Sequence, residues 1–163
     1  METREQVRWL NDGELIAWKA LIQTTTGLLG TLDNELQREH GLTLGDYEVL
    51  IHLSEAPNRS LRMSDLAGKL RLSPSGITRR IDGLVRAGLV ERRQCPTDRR
   101  GSNAVLTDEG FTKLETAAPT HVRGVREHFI DRLSEEQLAQ LSAALLSLEI
   151  DEQLAAGGCD AAP

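Results

Sequence analysis

Guanidinium groups are concentrated in one short stretch of this sequence, RRQCPTDRRGSNAVLT, which runs from Arg92 to Thr107. Four arginines, Arg92, Arg93, Arg99 and Arg100, lie within nine residues there. The planar guanidinium group donates hydrogen bonds in a fixed fork and binds phosphate or carboxylate groups through two of them at once. The stretch therefore has the chemistry of a binding site for anions.

The residues around these arginines are typical of a tight turn. Pro96, Asp98 and Gly101 separate two runs of strand-forming residues, at 89–94 and 102–106. This order predicts a β-hairpin. The hairpin would carry the second pair of arginines at its tip, where a partner can reach them.

Charge is segregated along the chain. The 163 residues carry a formal net charge of -6. Residues 59–101 nevertheless hold 11 Lys and Arg against 4 Asp and Glu, a net charge of +7, and the rest of the chain is strongly acidic. A basic segment in an acidic protein is the electrostatic pattern of a surface that binds a polyanion such as nucleic acid.

Two short helices are predicted directly before the hairpin. Ser64 would cap the first, and Ser73 would cap the second, with Pro74 at its first position, where proline is best tolerated. Gly88 would end the second helix. Short helix, tight turn, second helix and hairpin, in this order, predict a winged helix-turn-helix.

The second of these helices has one apolar and one polar face. Ile77, Ile81, Leu84 and Val85 form the apolar face, which we expect to pack on the body of the protein. The second helix of such a motif enters the DNA major groove, where hydroxyl groups and arginines contact phosphates and bases. The residues predicted to form the DNA-binding site are Ser64, Ser73, Ser75, Gly76, Thr78, Arg79, Arg80, Asp98, Arg99 and Arg100.

Within the hairpin tip the residues are expected to have different roles. Arg100 is predicted to enter the minor groove, whose negative potential attracts arginine. Arg99 is predicted to contact phosphate. Asp98 is expected to hold an arginine or to cap the turn rather than to touch DNA.

Long helices are predicted on both sides of this lobe. In the first, at 12–39, apolar residues recur at alternating spacings of three and four, which indicates a seam for packing against other helices. Thr43 would cap a second helix at 44–56. The predicted fold is therefore mainly α with a small β-wing.

Two more helices are predicted after the hairpin. Thr107 would cap one that reaches about residue 133, and Pro119 would kink or break it. Ser134 and Gln137 form a capping box at the start of the last helix. The long first and last helices are expected to form a dimerisation region.

The stretch LVERRQCPTDRRGSNAVLTDEG resembles the wing signature of the MarR family of bacterial transcriptional regulators. That signature has an Asp-x-Arg turn, then a strand, then Leu-Thr-x-x-Gly at the start of a helix. Asp98 and Arg100 match the turn, and Leu106, Thr107 and Gly110 match the helix start. The upstream segments LTLGDYEVLIHL and LRMSDLAGKLRLSPSGITRRIDGLVRAGLVER also fit the family pattern.

The resemblance implies a homodimer that binds a palindromic operator in double-stranded DNA, usually as a repressor that a small ligand or an oxidant releases. It implies one MarR-type domain over residues 1–163, with the DNA-binding lobe at 43–110. The dimerisation region would comprise 12–40 and 111–153. The small residues at 154–163 predict a disordered tail.

Cys95 departs from the family pattern, in which Asp-Pro is common where this chain has Cys-Pro. Hydroperoxide sensors of the family use a cysteine in the first helix, and this first helix has none. A redox sensor centred on Cys95 is an alternative, because the neighbouring arginines would favour its thiolate. The other interpretation is an inert strand residue.

A ligand pocket is expected between the dimer helices and the winged lobe, as the resemblance implies. Trp18, Tyr47, His52 and Arg62 would line it and accept a small aromatic or phenolic effector. The alternative is that Trp18 and Tyr47 simply fill the core.

Other functions find little support in the sequence. The four histidines lack the spacing of a metal site, no catalytic motif is present, and no cofactor is expected. The chain lacks a signal peptide and an apolar run long enough for a membrane span, and it has two distant cysteines. We expect a cytoplasmic protein that is not an enzyme. A winged-helix module that binds another protein is the rival interpretation.

Overall fold

A computed structural model describes residues 7–95 and 98–148, with the exception of the side chains of residue 95 and residues 98–100. The chain is mainly helical, with one small sheet, as the sequence predicts. In chain order the elements are α1 (Asp12–His40), α2 (Leu44–Glu55), β1 (Ser60–Arg62), α3 (Met63–Lys69), α4 (Pro74–Arg86), β2 (Val90–Cys95), β3 (Asp98–Leu106), α5 (Asp108–His128) and α6 (Glu135–Leu146).

Four helices begin at the caps that the sequence predicts: the side chains of Thr43, Ser73, Thr107 and Ser134 each accept a hydrogen bond from a backbone N–H in the first turn of α2, α4, α5 and α6, respectively. Asn11 caps α1 in the same way. Such caps satisfy amides that have no partner inside the helix.

The cap predicted for α3 is wrong. The helix begins at Met63, after Arg62, and has no side-chain cap. Ser64 therefore lies inside the first turn, exposed, and its hydroxyl donates to the carboxylate of Asp65 at 3.1 Å. Strand β1 runs straight into α3, so the strand and not a capping side chain determines where the helix starts.

The sheet has the strand order β1–β3–β2, and both pairs are antiparallel. Leu61 lies opposite Ala104, and Glu91 lies opposite Val105. The hairpin β2–β3 is the predicted wing, and β3 starts four residues earlier than the sequence suggested. Thr107 joins the sheet to α5, since its hydroxyl donates to the carbonyl of Gly88 at 2.8 Å and accepts from the amide of Gly110.

One apolar core lies between α2, α3, α4, α5, the sheet and the C-terminal half of α1. Burial of this aliphatic surface is the main source of the lobe's stability. Its most buried large side chains are Leu36, Val49, Leu50, Leu53, Leu66, Ile77, Ile81 and Val90. Val85 was expected to be buried with the apolar face of α4, and this is wrong, because it is 37% exposed at the edge of the helix.

Helix α5 runs through Pro119 without a break and ends at His128, five residues earlier than predicted. The expected interruption at Pro119 is therefore wrong. Ala117 and Thr120 are buried on either side of the proline, so packing holds both halves of the helix in place despite the missing hydrogen bond. At Gly124, a Cβ would lie 2.4 Å from the Oε2 atom of Glu35, so α5 approaches α1 closely there.

Two segments extend away from this core with apolar side chains exposed. Ile16 is 69% exposed and Trp18 54% exposed on the N-terminal half of α1, and α6 has no buried residue. The apolar seam predicted along α1 thus divides: Leu32 and Leu36 pack in the core, whereas its N-terminal part is open. We call the N-terminal half of α1 (residues 12–29) and α6 the arms.

Candidate nucleic-acid interface

Helix α4 presents a polar face to solvent because its apolar face is anchored in the core. Ser73 accepts a hydrogen bond from the amide of Gly76 at 3.1 Å, and Thr78 donates to the carbonyl of Pro74 at 2.8 Å. Ile77 and Ile81 are buried on the opposite side. The structure therefore brings Ser73, Ser75, Thr78 and Arg79 together on one exposed surface, which we call the α4 face.

Arg79 is the cation of the α4 face that is available to a ligand. Its side chain is exposed, and within the described part of the chain it makes no hydrogen bond or ion pair. An exposed guanidinium group that no carboxylate neutralises keeps all its donors for an incoming phosphate or base.

Arg80 was expected to point outward with Arg79, and this is wrong. Its Nη1 atom donates to Oδ1 of Asp46 at 3.1 Å and to Oγ1 of Thr43 at 3.2 Å, and its side chain is only 29% exposed. Gly45 makes room for the guanidinium group, since a Cβ there would lie 2.4 Å from Nη1. Arg80 thus fastens α4 to the start of α2, and successive residues of a helix point about 100° apart, which separates it from Arg79.

A second arginine fastens the wing to α4. The Nη2 atom of Arg92, on β2, lies 2.9 Å from Oδ1 of Asp82 and 3.2 Å from the carbonyl oxygen of Thr78. Arg93 pairs with Glu91 on its own strand. From the sequence, Arg92 belongs to the arginine cluster, and no DNA contact is predicted for it. Its structural role depends on the approach of β2 to α4, for which the sequence carries no short-range signal.

The tip of the wing is described only by its backbone. Asp98, Arg99 and Arg100 begin β3, and Asp98 lies opposite Cys95 in the sheet. The side chains of these four residues lie outside the described part of the structure. The roles expected of Arg99 and Arg100 in DNA contact, of Asp98 in the turn and of Cys95 as a thiol stay predictions.

The residues predicted to form an effector pocket are not brought together in the described cavities. Tyr47 is buried, and its ring contacts that of His121 in a tilted arrangement, with 4.7 Å between the centroids. Trp18 is exposed on an arm, and Arg62 is exposed at the end of β1. Only His52 lines a described cavity. The core alternative is therefore right for Tyr47 and wrong for Trp18.

A polar network between α1 and α5 was not anticipated from the sequence. Arg123 donates to Glu39 at 2.9 Å, Thr120 donates to Glu39 at 2.9 Å, and His40 lies 2.8 Å from the Thr120 hydroxyl. His128 contacts Glu35 at 2.7 Å. His40 and His128 were considered from the sequence only as metal ligands. The described residues contain no group of His, Cys, Asp or Glu arranged to hold a metal ion.

This network changes the ionisation of its members. Hydrogen bonds from Arg123, then from Thr120 and Arg38, stabilise the charged form and lower the pKa of Glu39 to about 2. Burial lowers the pKa of His121 and raises the pKa of Tyr47, so both stay neutral around pH 7. Glu39 is therefore ionised at neutral pH in the junction between the arms and the lobe.

Comparison with known proteins identifies this arrangement. The profile of the MarR family matches residues 42–102. The crystal structure of AbsC, a MarR family transcriptional regulator from Streptomyces coelicolor, superposes with a TM-score of 0.82 at 42% identity, over 87% of this chain and 95% of AbsC. Sco3205, a MarR family transcriptional regulator from the same organism solved in complex with DNA, gives 0.83 at 38% identity, over 87% of this chain and 89% of that one.

A similar relative at the sequence level is the transcriptional repressor YetL from Bacillus subtilis, which is 34% identical over 94 residues. That match spans 56% of this chain and 56% of YetL. These relatives are regulators of transcription, in agreement with the expectation that the chain is not an enzyme. No helix in the described part of the chain is long and apolar enough to cross a membrane. The winged fold, the wing signature and the 42% sequence identity with AbsC show that the chain belongs to the MarR family.

Proposed function

We propose that this protein is a homodimeric transcriptional repressor that binds a palindromic operator through the α4 face and the wing, and releases it when a small effector binds. The single observation that carries the proposal is the α4 face, where Arg79 is exposed and has no partner among the described residues while Arg80 and Arg92 anchor the helix on both sides. A helix fixed in this way presents its polar residues to a major groove without further ordering cost.

Charge supports the same function. The excess of basic residues in 59–101 lies in α3, α4 and the wing, and the acidic residues are mostly on α1, α2, α5 and α6. Phosphate groups attract the first region and repel the second. Sco3205, which is similar over most of the chain, was solved with DNA bound, and YetL is named a repressor. Such a regulator acts in the bacterial cytoplasm, where the DNA is.

The arms support the homodimer. Ile16, Trp18, Leu145 and Leu146 are between 45% and 81% exposed, which is unusual for large apolar side chains on helices of a monomer. A second copy would cover both arms by two-fold symmetry and place two α4 faces about one helical turn of DNA apart. We assign DNA binding to residues 43–110 and dimerisation to 12–40 and 111–153, and the parts of α1 and α5 that carry Leu36, Leu114 and Ala117 also pack in the core of the lobe.

The test is binding of the protein to DNA from upstream of its own coding sequence, in an electrophoretic shift at two salt concentrations. We expect Arg79→Ala to weaken binding by about 1–3 kcal/mol, since one arginine contact to a base is lost. Lys113→Ala, which removes one positive charge from α5, is the matched control and should bind as wild type does. Arg100→Ala tests the wing in the same assay.

Two results would contradict the proposal. Wild-type protein that shows no salt-dependent binding to any duplex would favour the rival function, a module that binds another protein. Equal binding by Arg79→Ala and wild type would mean that the α4 face is not the DNA surface. Loss of binding after peroxide treatment, abolished by Cys95→Ser, would support the redox alternative.

A further inference from the structure

We propose that Arg92 binds a phosphate of the DNA backbone in the crevice between α4 and the wing, and that Asp82 is a positioning residue that holds the guanidinium group ready for this contact. The contact rests on the proposed function, because it forms only when α4 and the wing bind a duplex. Neither residue belongs to the predicted DNA-binding site or to the α4 face.

Arg92 lies on the face of β2 that points to the core. Side chains alternate between the two faces of a strand, so Arg92 shares its face with Val90, two residues before it, and with Ala104, its partner on β3. Both neighbours are buried, at 1% and 0% exposure. A charged side chain at this position has to leave the core along the surface of α4, and it does so beside Thr78 and Asp82.

Both contacts of Arg92 with α4 use the same nitrogen atom. Its Nη2 atom donates to the carbonyl oxygen of Thr78 at 3.2 Å and lies 2.9 Å from Oδ1 of Asp82. A guanidinium group also carries N–H donors on Nη1 and Nε. In Arg92 these donors have no partner among the described residues, and the side chain is 36% exposed. Arg92 is therefore held in one orientation and still has donors for a phosphate.

The crevice beside Arg92 is where the backbone of a bound duplex has to pass. In the proposed complex α4 lies in a major groove, and the wing tip lies in the adjacent minor groove. One sugar-phosphate strand separates these two grooves, so this strand runs between α4 and the wing. Arg92 bridges β2 and α4 at this place, beside Thr78 of the α4 face. Its free donors therefore meet phosphate oxygens rather than base edges.

The ion pair between Arg92 and Asp82 contributes to order more than to stability. The two side chains are 36% and 46% exposed, and pairs this open add little to the free energy of unfolding. A carboxylate beside the α4 face also repels phosphates. A long side chain that is already held, however, loses less conformational freedom when it binds a ligand. Asp82 thus lowers the ordering cost of the contact between Arg92 and DNA.

The experiment is a titration of a fluorescent duplex, taken from upstream of the coding sequence, with the full-length protein over a range of salt concentrations. The slope of log K against log salt concentration measures the phosphates that a protein neutralises, at about 0.9 for each. We expect Arg92→Ala to bind about tenfold more weakly and to make the slope shallower by about 0.9 for each half-site. Loss of folded protein lowers the affinity equally at every salt concentration, so a purely structural defect leaves the slope unchanged.

Two substitutions of Asp82 separate its charge from its hydrogen-bond acceptor. Asp82→Asn and Asp82→Ala both remove the negative charge, but only asparagine keeps an oxygen that can accept from Arg92. Repulsion of phosphates alone predicts equal binding by the two variants. We expect Asp82→Ala to bind about threefold more weakly than Asp82→Asn, because Arg92 is released. Since the cation is still present, Asp82→Ala should change the slope by less than half as much as Arg92→Ala does.

Arg93→Ala is the matched control. Arg93 follows Arg92 on β2 but lies on the other face of the sheet, where it pairs with Glu91. Its substitution removes the same charge from the wing without touching the crevice. The change in slope should be less than half of that in Arg92→Ala.

Failure of the contact is distinguishable from failure of the proposed function. A wild-type protein that shows no salt-dependent binding to a duplex rejects the proposed function, and the contact with it. If wild type binds, an unchanged slope in Arg92→Ala, or the same slope in Arg92→Ala and Arg93→Ala, overturns the phosphate contact alone. Equal losses of slope in Arg92→Ala and Asp82→Ala show that Arg92 only fastens the wing. Equal affinities of Asp82→Ala and Asp82→Asn overturn the positioning role of Asp82.

Discussion

The lobe and the arms contain similar apolar residues, but these side chains are buried in the lobe and exposed in the arms. Leu36, Leu50 and Leu53 are fully buried in the lobe, whereas Leu146 in α6 is 81% exposed and Ile16 in α1 is 69% exposed. Helix α1 belongs to both regions, since it is buried at Leu36 and open at Ile16. The lobe buries its apolar side chains in a core of its own, whereas the apolar side chains of the arms stay exposed to solvent.

This difference shows how one chain divides stability and assembly. The lobe gathers helices α2 to α5 and the sheet around aliphatic side chains, and burial there does not depend on a second chain. The arms carry apolar surface that lowers the free energy only when another molecule covers it. Folding of the lobe and association through the arms should therefore respond to different mutations.

The largest expected effect comes from a side-chain truncation in the core of the lobe, which is compared with a truncation in an arm. Leu50→Ala should lower the free energy of unfolding by about 2–5 kcal/mol, because it leaves a cavity in the core. Leu146→Ala should leave the lobe intact and weaken the proposed dimer instead. Urea denaturation at two protein concentrations, with sedimentation to measure association, checks both.

The dependence on protein concentration is the deciding feature of that experiment. For Leu146→Ala the change in stability should shrink on dilution, because it acts through association and vanishes when wild type and variant are both monomeric. For Leu50→Ala it should be about the same at both concentrations. A concentration-independent loss in Leu146→Ala would mean that α6 packs on its own lobe.

A smaller effect is expected at the contact that fastens α4 to α2. Asp46→Ala leaves the half-buried guanidinium of Arg80 without its carboxylate and should cost about 1–3 kcal/mol of stability. Arg79→Ala, one residue away on the exposed α4 face, should change stability by less than about 0.5 kcal/mol. Thermal unfolding at neutral pH compares the two.

The variants that test Arg80 and Arg79 should therefore differ in the property they change, which is stability in one case and operator binding in the other. Asp46→Ala is expected to reduce stability more than Arg79→Ala, and Arg79→Ala to reduce operator binding without loss of stability. Equal stability losses in the two variants would show that Arg80 is no better anchored than Arg79.

The smallest effect concerns the junction between the regions and depends on pH. Glu39 has a pKa lowered to about 2 from the ordinary 4.5, mainly by Arg123. The unfolded chain binds a proton at Glu39 before the folded protein does, so the stability that Glu39 contributes is complete above pH 4.5 and is lost as the pH falls towards 2. Melting temperatures between pH 7 and pH 3 should fall less in Glu39→Gln than in wild type.

The matched variant for this junction is Arg123→Ala. It removes the donor that lowers the pKa of Glu39 most and should reduce the acid sensitivity in the same direction. Parallel melting curves for wild type and both variants across this range would contradict the assignment.

Most of the fold was predictable from local signals. The caps Thr43, Ser73, Thr107 and Ser134 act within three residues of themselves, and the apolar periodicity of α4 identified Ile77 and Ile81 as core. Where tertiary packing overrides local preference, the predictions failed. Helix α5 continues past Pro119, and α3 starts without Ser64 as its cap.

The candidate site was predictable in part, for a related reason. Arg79 and Arg80 are adjacent in a basic segment, and nothing in the sequence distinguishes them. Arg80 is an anchor because α2 places Asp46 and the small Gly45 beside it, whereas Arg79 stays exposed. The same holds for Arg92, which the approach of β2 to α4 makes a structural contact.

The sequence by itself determined the element order, most helix starts, the division of charge and the family signature of the wing, because each depends on neighbouring residues or on composition. The tertiary structure decided which arginines are free, which apolar faces stay open and which residues share a cavity. Those properties arise from contacts between residues far apart in the chain, such as Glu39 with Arg123 and Arg80 with Asp46. Local preferences do not encode such contacts until packing brings the helices together.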